Sequence, residues 1–181
     1  MKKLLLAALA FALLPFPARA QDTPKADVAV GYSFLWVGEG FTFFMNGGSG
    51  SVVLNVNNWL GAVGDFGAYH ASPGVSLTAE TYTFGPRFSY RKWDRLVPFT
   101  QILVGGQHAS AVTIGFTNAS NAFAFGAGAG ADIGLDSRGR FALRPQLEYF
   151  GFRANGNTTG TVRLSVGIVF RIGKKYPTDS R

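Results

Sequence analysis

After residue 20, apolar side chains alternate with small or polar ones at period two, the spacing that sends successive strand residues to opposite faces. Eight segments carry the pattern. In 28–36, Val28, Val30, Tyr32, Phe34 and Trp36 oppose Ala29, Gly31, Ser33 and Leu35. In 51–57, Val52, Leu54 and Val56 oppose Val53, Asn55 and Asn57, and Asn57-Asn58 then offers a tight turn of the primed type. In 59–69, Leu60, Ala62, Gly64, Phe66 and Ala68 oppose Trp59, Gly61, Val63, Asp65, Gly67 and Tyr69. The segments 80–90, 97–106, 122–135, 141–150 and 161–172 continue in the same way, with Gly85-Pro86 as an expected bulge. The expected connections alternate: short turns near 57–58, 91–96 and 136–140, and longer links rich in Gly, Ser, Asn and Thr at 37–50, 70–79, 107–121 and 151–160. Eight strands with short turns at one end and long loops at the other predict an all-β, antiparallel, up-and-down barrel.

The choice of outer face decides the class. One face is bulky and aromatic on nearly every strand. The other is mostly Gly, Ala, Ser and Thr, and it also carries Asp65, Arg87, Asp132, Arg144, Glu148, Arg163 and Arg171. Eight strands leave a lumen only about wide enough for side chains, so bulky rings on every inner face would overfill it. The bulky face therefore points outward, and lipid is the solvent that makes such an exterior stable. A strand of ~10 residues tilted ~45° rises roughly 23 Å, close to the ~25 Å apolar band of a transmembrane barrel. The seven ionisable residues then form an expected lumen ion-pair network. On the lipid face, each basic one would cost ~2–4 kcal/mol at mid-bilayer. Tyr32, Trp36, Tyr82, Tyr90, Trp93, Tyr149 and Phe170 fall toward segment ends, as interfacial aromatic belts do.

The first 20 residues read as an address. Lys2 and Lys3 precede an apolar stretch from Leu4 to Pro17, and Ala18-Arg19-Ala20 fits the small-x-small rule for cleavage. The expected division is therefore signal peptide 1–20, barrel 21–173 and a short basic tail 174–181. Loss of Lys2, Lys3 and Arg19 leaves 14 basic residues against 10 acidic, so the net charge falls from +7 to about +4. That excess is small and scattered, which argues against a nucleic-acid partner. Charged residues make up 15%, where ~25% is usual for soluble domains, and there is no Cys. Disulfides, thiolate metal sites and Cys nucleophiles are excluded, and two His give no basis for a multi-histidine metal site. No cofactor is expected.

In order and spacing, VAVGYSFLW, NVNNWLGAVGDFGAY, TYTFGPRFSYR, VPFTQILVGG, FGAGAGADIGL, RFALRPQLEYF and VRLSVGIVFRIG make the chain resemble the OmpA/OmpX-like eight-stranded outer-membrane proteins. The resemblance covers nearly residues 26–173. It implies a bacterial outer-membrane location, a monomer, contact with outer-membrane lipid and lipopolysaccharide, and insertion by the barrel-assembly machinery. Gly167, Phe170 and Ile172 look like the C-terminal insertion signal that this machinery reads, although Gly173 to Arg181 follow where many such chains stop. No peptidoglycan-binding domain follows, so wall tethering is not expected. The implied role is structural or surface-interactive, with a side-chain-filled lumen and working loops outside the cell. Three alternatives stand beside it: a narrow porin-like pore, a soluble lipocalin-like carrier, and a lipid A deacylase-like enzyme.

The enzyme alternative rests on His108-Ala109-Ser110. Lipid A deacylases of similar architecture use His-x-Ser with a Glu, and i,i+2 on a strand places His and Ser on one face. The next Glu in the chain is Glu148, on another segment, and 107–121 reads as a loop, so no catalytic residue is assigned. His70 is read as a loop histidine. Arg91, Lys92, Arg95, Arg138 and Arg140 read as solvated turn charges.

Overall fold

A computed structural model of the chain describes residues 23–173 apart from 39–42, 72–75, 94, 114–115 and 138. The expected leader with Ala18 and Ala20, and the tail 174–181, lie outside the described residues. Eight strands follow one another: β1 (Ala26–Val37), β2 (Phe43–Asn55), β3 (Leu60–Ala71), β4 (Ser76–Ser89), β5 (Leu96–Thr113), β6 (Phe116–Gly134), β7 (Phe141–Ala154) and β8 (Asn157–Ile172). Each pairs antiparallel with its neighbours in sequence, and β1 pairs with β8 to close the barrel.

The registers fix the barrel's shape. The row Val28, Val52, Gly64, Phe84, Val104, Phe125, Gly151, Gly160 ends where Gly38 N–H donates to Gly160 C=O, so the circuit returns to β1 ten positions above its start. That stagger over eight strands tilts them by roughly 40–45° and leaves an interior about one side chain deep from each wall. At such a tilt the 12 residues of β1 or β3 rise roughly 28 Å at ~3.3 Å per residue. The 18 of β5 and 19 of β6 rise about 42–44 Å, so this hairpin stands clear of a ~25 Å apolar band.

The exterior carries Val30, Phe34, Leu54, Phe66, Phe84, Ile102, Leu147 and Ile168, all exposed. Aromatic pairs gather on it: Trp59 stacks on Phe88 with ring centroids 6.0 Å apart, Tyr90 meets Trp93 at 5.4 Å, Phe141 meets Phe170 at 5.4 Å and Trp36 meets Phe44 at 6.3 Å. Arg87, Arg163, Asp65, Asp132 and Glu148 are buried inside. A lipocalin has the opposite polarity, an apolar interior and a polar exterior, and that alternative is set aside.

Several local expectations are corrected. The long loops at 37–50, 107–121 and 151–160 are mostly strand: β2 starts at Phe43, β5 and β6 pair through Thr113↔Phe116, and β7 and β8 through Ala154↔Asn157. Above the membrane both faces of a strand are wet, so the apolar alternation fades while the backbone ladder persists. The β7–β8 turn is Asn155-Gly156, both at positive φ (49° and 83°), the geometry of a primed two-residue hairpin. Asn57-Asn58 lacks that geometry: Asn57 Oδ1 instead accepts from the backbone N–H groups of Trp59 (2.9 Å) and Leu60 (2.8 Å), an Asx turn. Gly85-Pro86 makes no bulge. Pairing of β4 with β5 skips from Phe84↔Val104 to Arg87↔Gln101 with the register unchanged. Proline removes a ladder bond without adding a residue.

Candidate functional site in the barrel lumen

The inward positions of the turn-end half carry long polar side chains from six strands. Arg163 on β8 is the hub. Its Nε donates to Glu148 Oε2 on β7 at 2.6 Å, and its Nη1 donates across the lumen to Asp65 Oδ1 on β3 at 2.7 Å and to Tyr69 OH at 2.7 Å. Glu148 also accepts from Gln101 Nε2 on β5 at 2.8 Å and from Gln146 Nε2 at 2.9 Å. Gln101 Oε1 in turn accepts from Arg87 Nε on β4 at 2.9 Å. The Glu148 carboxylate thus ties β5, β7 and β8 together directly, and Gln101 extends the chain to β4.

Arg144 forms the second centre. Its Nε and Nη2 grip Asp132 Oδ1 and Oδ2 at 2.6 and 2.9 Å, a two-point pairing that matches guanidinium to carboxylate geometry. Its Nη1 donates to Ser51 Oγ on β2, across the barrel, at 3.2 Å. Arg171 Nη2 lies 3.9 Å from Asp132 Oδ2. Phe99 links the two centres, with the Arg87 guanidinium 3.8 Å from its ring centroid and that of Arg144 5.3 Å away. An aromatic face is a favourable partner for a desolvated cation. Burying a lone charge costs several kcal/mol, and this lattice of opposite charges, amides and rings offsets part of that cost.

All seven ionisable residues singled out in the sequence lie inside the barrel: Arg163, Glu148, Asp65 and Arg87 in the first group, and Arg144, Asp132 and Arg171 in the second. Five further participants were missed. Asp27 shares the inward parity of Ala29, but the expected strand began one residue too late. Gln101, Gln146 and Tyr69 sit on the charged face, and polarity on that parity is their signal. Arg91 is not the solvated turn charge that the sequence suggests: it folds back into the turn-end mouth. Its Nη2 donates to Asn55 Oδ1 at 2.9 Å and lies 3.3 Å from Asp27 Oδ2. Asn55 Nδ2 donates to Asp27 Oδ2 at 3.0 Å and to the Pro24 carbonyl at 2.9 Å. Unpaired, Asp27 would be a buried lone anion, which is the physical reason for Arg91's position.

Of the expected insertion-signal residues, Phe170 and Ile172 face outward near the turn end, while Gly167 lies inward opposite Gly31. At that crossing a Cβ on Gly167 would stand 2.8 Å from the Val30 carbonyl, so the β1–β8 seam approaches too closely for a side chain.

His108 and Ser110 lie on strand β5 rather than in a loop, and His70 lies on β3. His108 faces outward on the projecting hairpin, with Nδ1 2.8 Å from Asn121 Oδ1. An acid does stand nearby, contrary to the sequence reading: Glu80 on β4 is the register partner of His108.

No family model matches this chain, and no curated protein matches it. Solved structures do. Neisserial surface protein A superposes with a TM-score of 0.70 at 12% identity, over 82% of this chain and 97% of that one. Ail, the attachment invasion locus protein of Yersinia pestis, in complex with the heparin analogue sucrose octasulfate, gives 0.61 at 18% identity, over 83% and 99%. The N-terminal β-barrel domain of Pseudomonas aeruginosa OprF gives 0.58 at 13% identity, over 81% and 98%. The likeness is one of fold: the chain has the architecture of the small bacterial outer-membrane β-barrels.

Proposed function

We propose that this chain is an integral outer-membrane barrel that does not conduct and that serves a structural or surface-interaction role. The observation that carries the reading is Arg163, which reaches from β8 across the lumen to Asp65 on β3 while holding Glu148 on β7. Arg144 to Ser51 makes a second crossing, and Arg91 with Asp27 fills the turn-end mouth. An ion path would have to break these bonds. The barrel-assembly machinery would read the β8 end at Phe170 and Ile172, and lipid and lipopolysaccharide would contact the aromatic exterior. The long β5–β6 hairpin, rather than flexible loops, would be the working surface. Planar-bilayer recordings of the purified barrel test the reading: a silent membrane is expected, and discrete conductance steps would establish a pore instead.

A second reading keeps one supporting observation. His108 and Ser110 occupy i,i+2 positions of a strand with Glu80 opposite, the three residue types that lipid A deacylation needs. Mass spectrometry of lipid A from cells with and without the protein tests it. An unchanged acyl pattern ends this reading.

A further inference from the structure

The charged packing stops partway up the lumen. Above Arg163 and Tyr69 the inward positions change character: Ala79 on β4, Ala109 on β5, Ala122 on β6 and Ala154 on β7 stand where the turn-end half carries Arg87, Gln101, Asp132 and Arg144. These short side chains cannot meet across the barrel. They leave a chamber of about 440 Å³ toward the loop end, within the ~300–1,000 Å³ range of small-molecule sites.

We propose that this chamber is a binding site for one medium-length alkyl chain carrying a small uncharged polar head. The chemistry of the lining carries the inference. Leu35, Met45 and Phe152 are buried around it, and among the described residues its lining includes no Asp, Glu, Lys or Arg. A phosphate, a sulfate or a free cation would find no counter-charge among these residues. The polar groups that do line it are hydroxyls and amides such as Asn118 and Ser120, suited to a hydroxyl or an ester. Three of the lining residues, Leu35, Met45 and Ala79, pack in one buried cluster with Tyr69, which is anchored through its hydroxyl to Arg163. At ~30 Å³ per water-sized group the volume holds on the order of a dozen methylene-sized units. The chemistry is shared by a free amphiphile entering from the rim and by an acyl chain from the bilayer.

The site contains its own reporter. The sequence has two methionines, Met1 in the expected leader and Met45 in the chamber wall. The mature barrel, labelled with ¹³C-methyl methionine and folded into phospholipid nanodiscs, is titrated with 1-decanol and followed by methyl NMR. The expected result is a Met45 shift that saturates near one decanol per barrel. A nuclear Overhauser contact between Met45 and lipid chains before any addition supports the site equally and names the bilayer as the source. Ala109→Phe and Ala79→Phe each place a ring in the chamber, and heat-modifiable gel migration shows which of them folds. A folded variant must lose the saturable shift or the lipid contact. An unmoved methyl with no lipid contact, or a response unchanged in the folded Phe variant, overturns the proposal. Conductance and ligand binding are separate measurements, so a conducting barrel would refute the closed plug without touching this site.

Discussion

Replacing Arg163 by methionine removes the hub of the lumen and leaves its partners in place. The guanidinium is 1% exposed and supplies hydrogen bonds to Glu148 (2.6 Å), Asp65 (2.7 Å) and Tyr69 (2.7 Å). Arg163→Met strands two carboxylates inside the barrel. Glu148 keeps the amides of Gln101 and Gln146 as donors, whereas Asp65 loses the cation that spans the lumen to it. Breaking a buried ion pair by deleting one partner costs about 3–5 kcal/mol, roughly a 10²- to 10³-fold loss in the folding equilibrium or more. The assay is urea unfolding of the barrel in phospholipid vesicles, read by the fluorescence of Trp36, Trp59 and Trp93. The matched control is Asp65→Asn, Glu148→Gln and Arg163→Met together, which removes the stranded charges at nearly constant volume. It should recover most of the loss, because neutral groups of the same shape carry a far smaller desolvation cost. The reasoning fails if the single variant unfolds within ~1 kcal/mol of the parent, or if the triple variant is no more stable than the single one.

Three further perturbations test other parts of the account. Ile102→Arg puts a cation on the lipid face of β5, and in the same vesicle assay it should cost ~2–4 kcal/mol if the site lies near mid-bilayer, with Ile102→Leu close to neutral. Gly156→Val forces a β-branched residue into φ +83°, at a cost of ~1–2 kcal/mol, and hydrogen exchange should show lost protection at the β7–β8 tip with the base of that hairpin unchanged. At the β6–β7 turn, Asp136 Oδ1 accepts the Phe141 backbone N–H at 2.9 Å, and this bond holds its carboxyl below the ordinary value of 3.8. A depressed value means support that is present above 3.8 and lost as pH falls through the lower native value; the Phe141 amide shift should titrate with that midpoint, and Asp136→Asn should abolish the titration.

The barrel and its inside-out polarity were legible because the bilayer enforces period two where lipid touches the wall. Phe66 and Asp65 differ by one position and by the whole difference between acyl chain and lumen, so a slip of one residue would carry every inner charge into lipid. Beyond the bilayer that pressure ends. His108 and Asn121 can both face water without penalty, and composition alone made strand look like loop. The one local signal that survived there, Asn155-Gly156, marks the hairpin that the pattern missed. Within the lumen, parity showed which residues point inward but not which of them meet. Asp65 and Arg163 pair across 98 positions of sequence, a contact set by the ten-residue stagger of the closed barrel. Arg91 was beyond reach for a related reason: it follows the end of β4, where parity no longer constrains direction.

That stagger also explains why one cylinder is filled in two ways. Arginine and glutamine reach the far wall, and wherever they do, they bind strands that are distant in sequence. Arg144 on β7 to Ser51 on β2 and Arg163 on β8 to Asp65 on β3 both span the β8–β1 closure. A barrel's closure joins its first and last strands and is the pairing with the greatest loop-closure cost. Cross-lumen bonds that straddle this seam add to its own ladder. The seam itself is thin: Gly31 lies opposite Gly167 with no side chain between them. Ala79 and Ala109 at the loop end pack in an apolar cluster with residues of β1 to β3 but make no cross-lumen polar bond, so closure gains little from that half of the interior. The half that does not hold the seam shut is therefore free to be hollow. Filling it, as in Ala109→Phe, should leave the urea midpoint of the barrel close to that of the parent, whereas Arg163→Met should lower it.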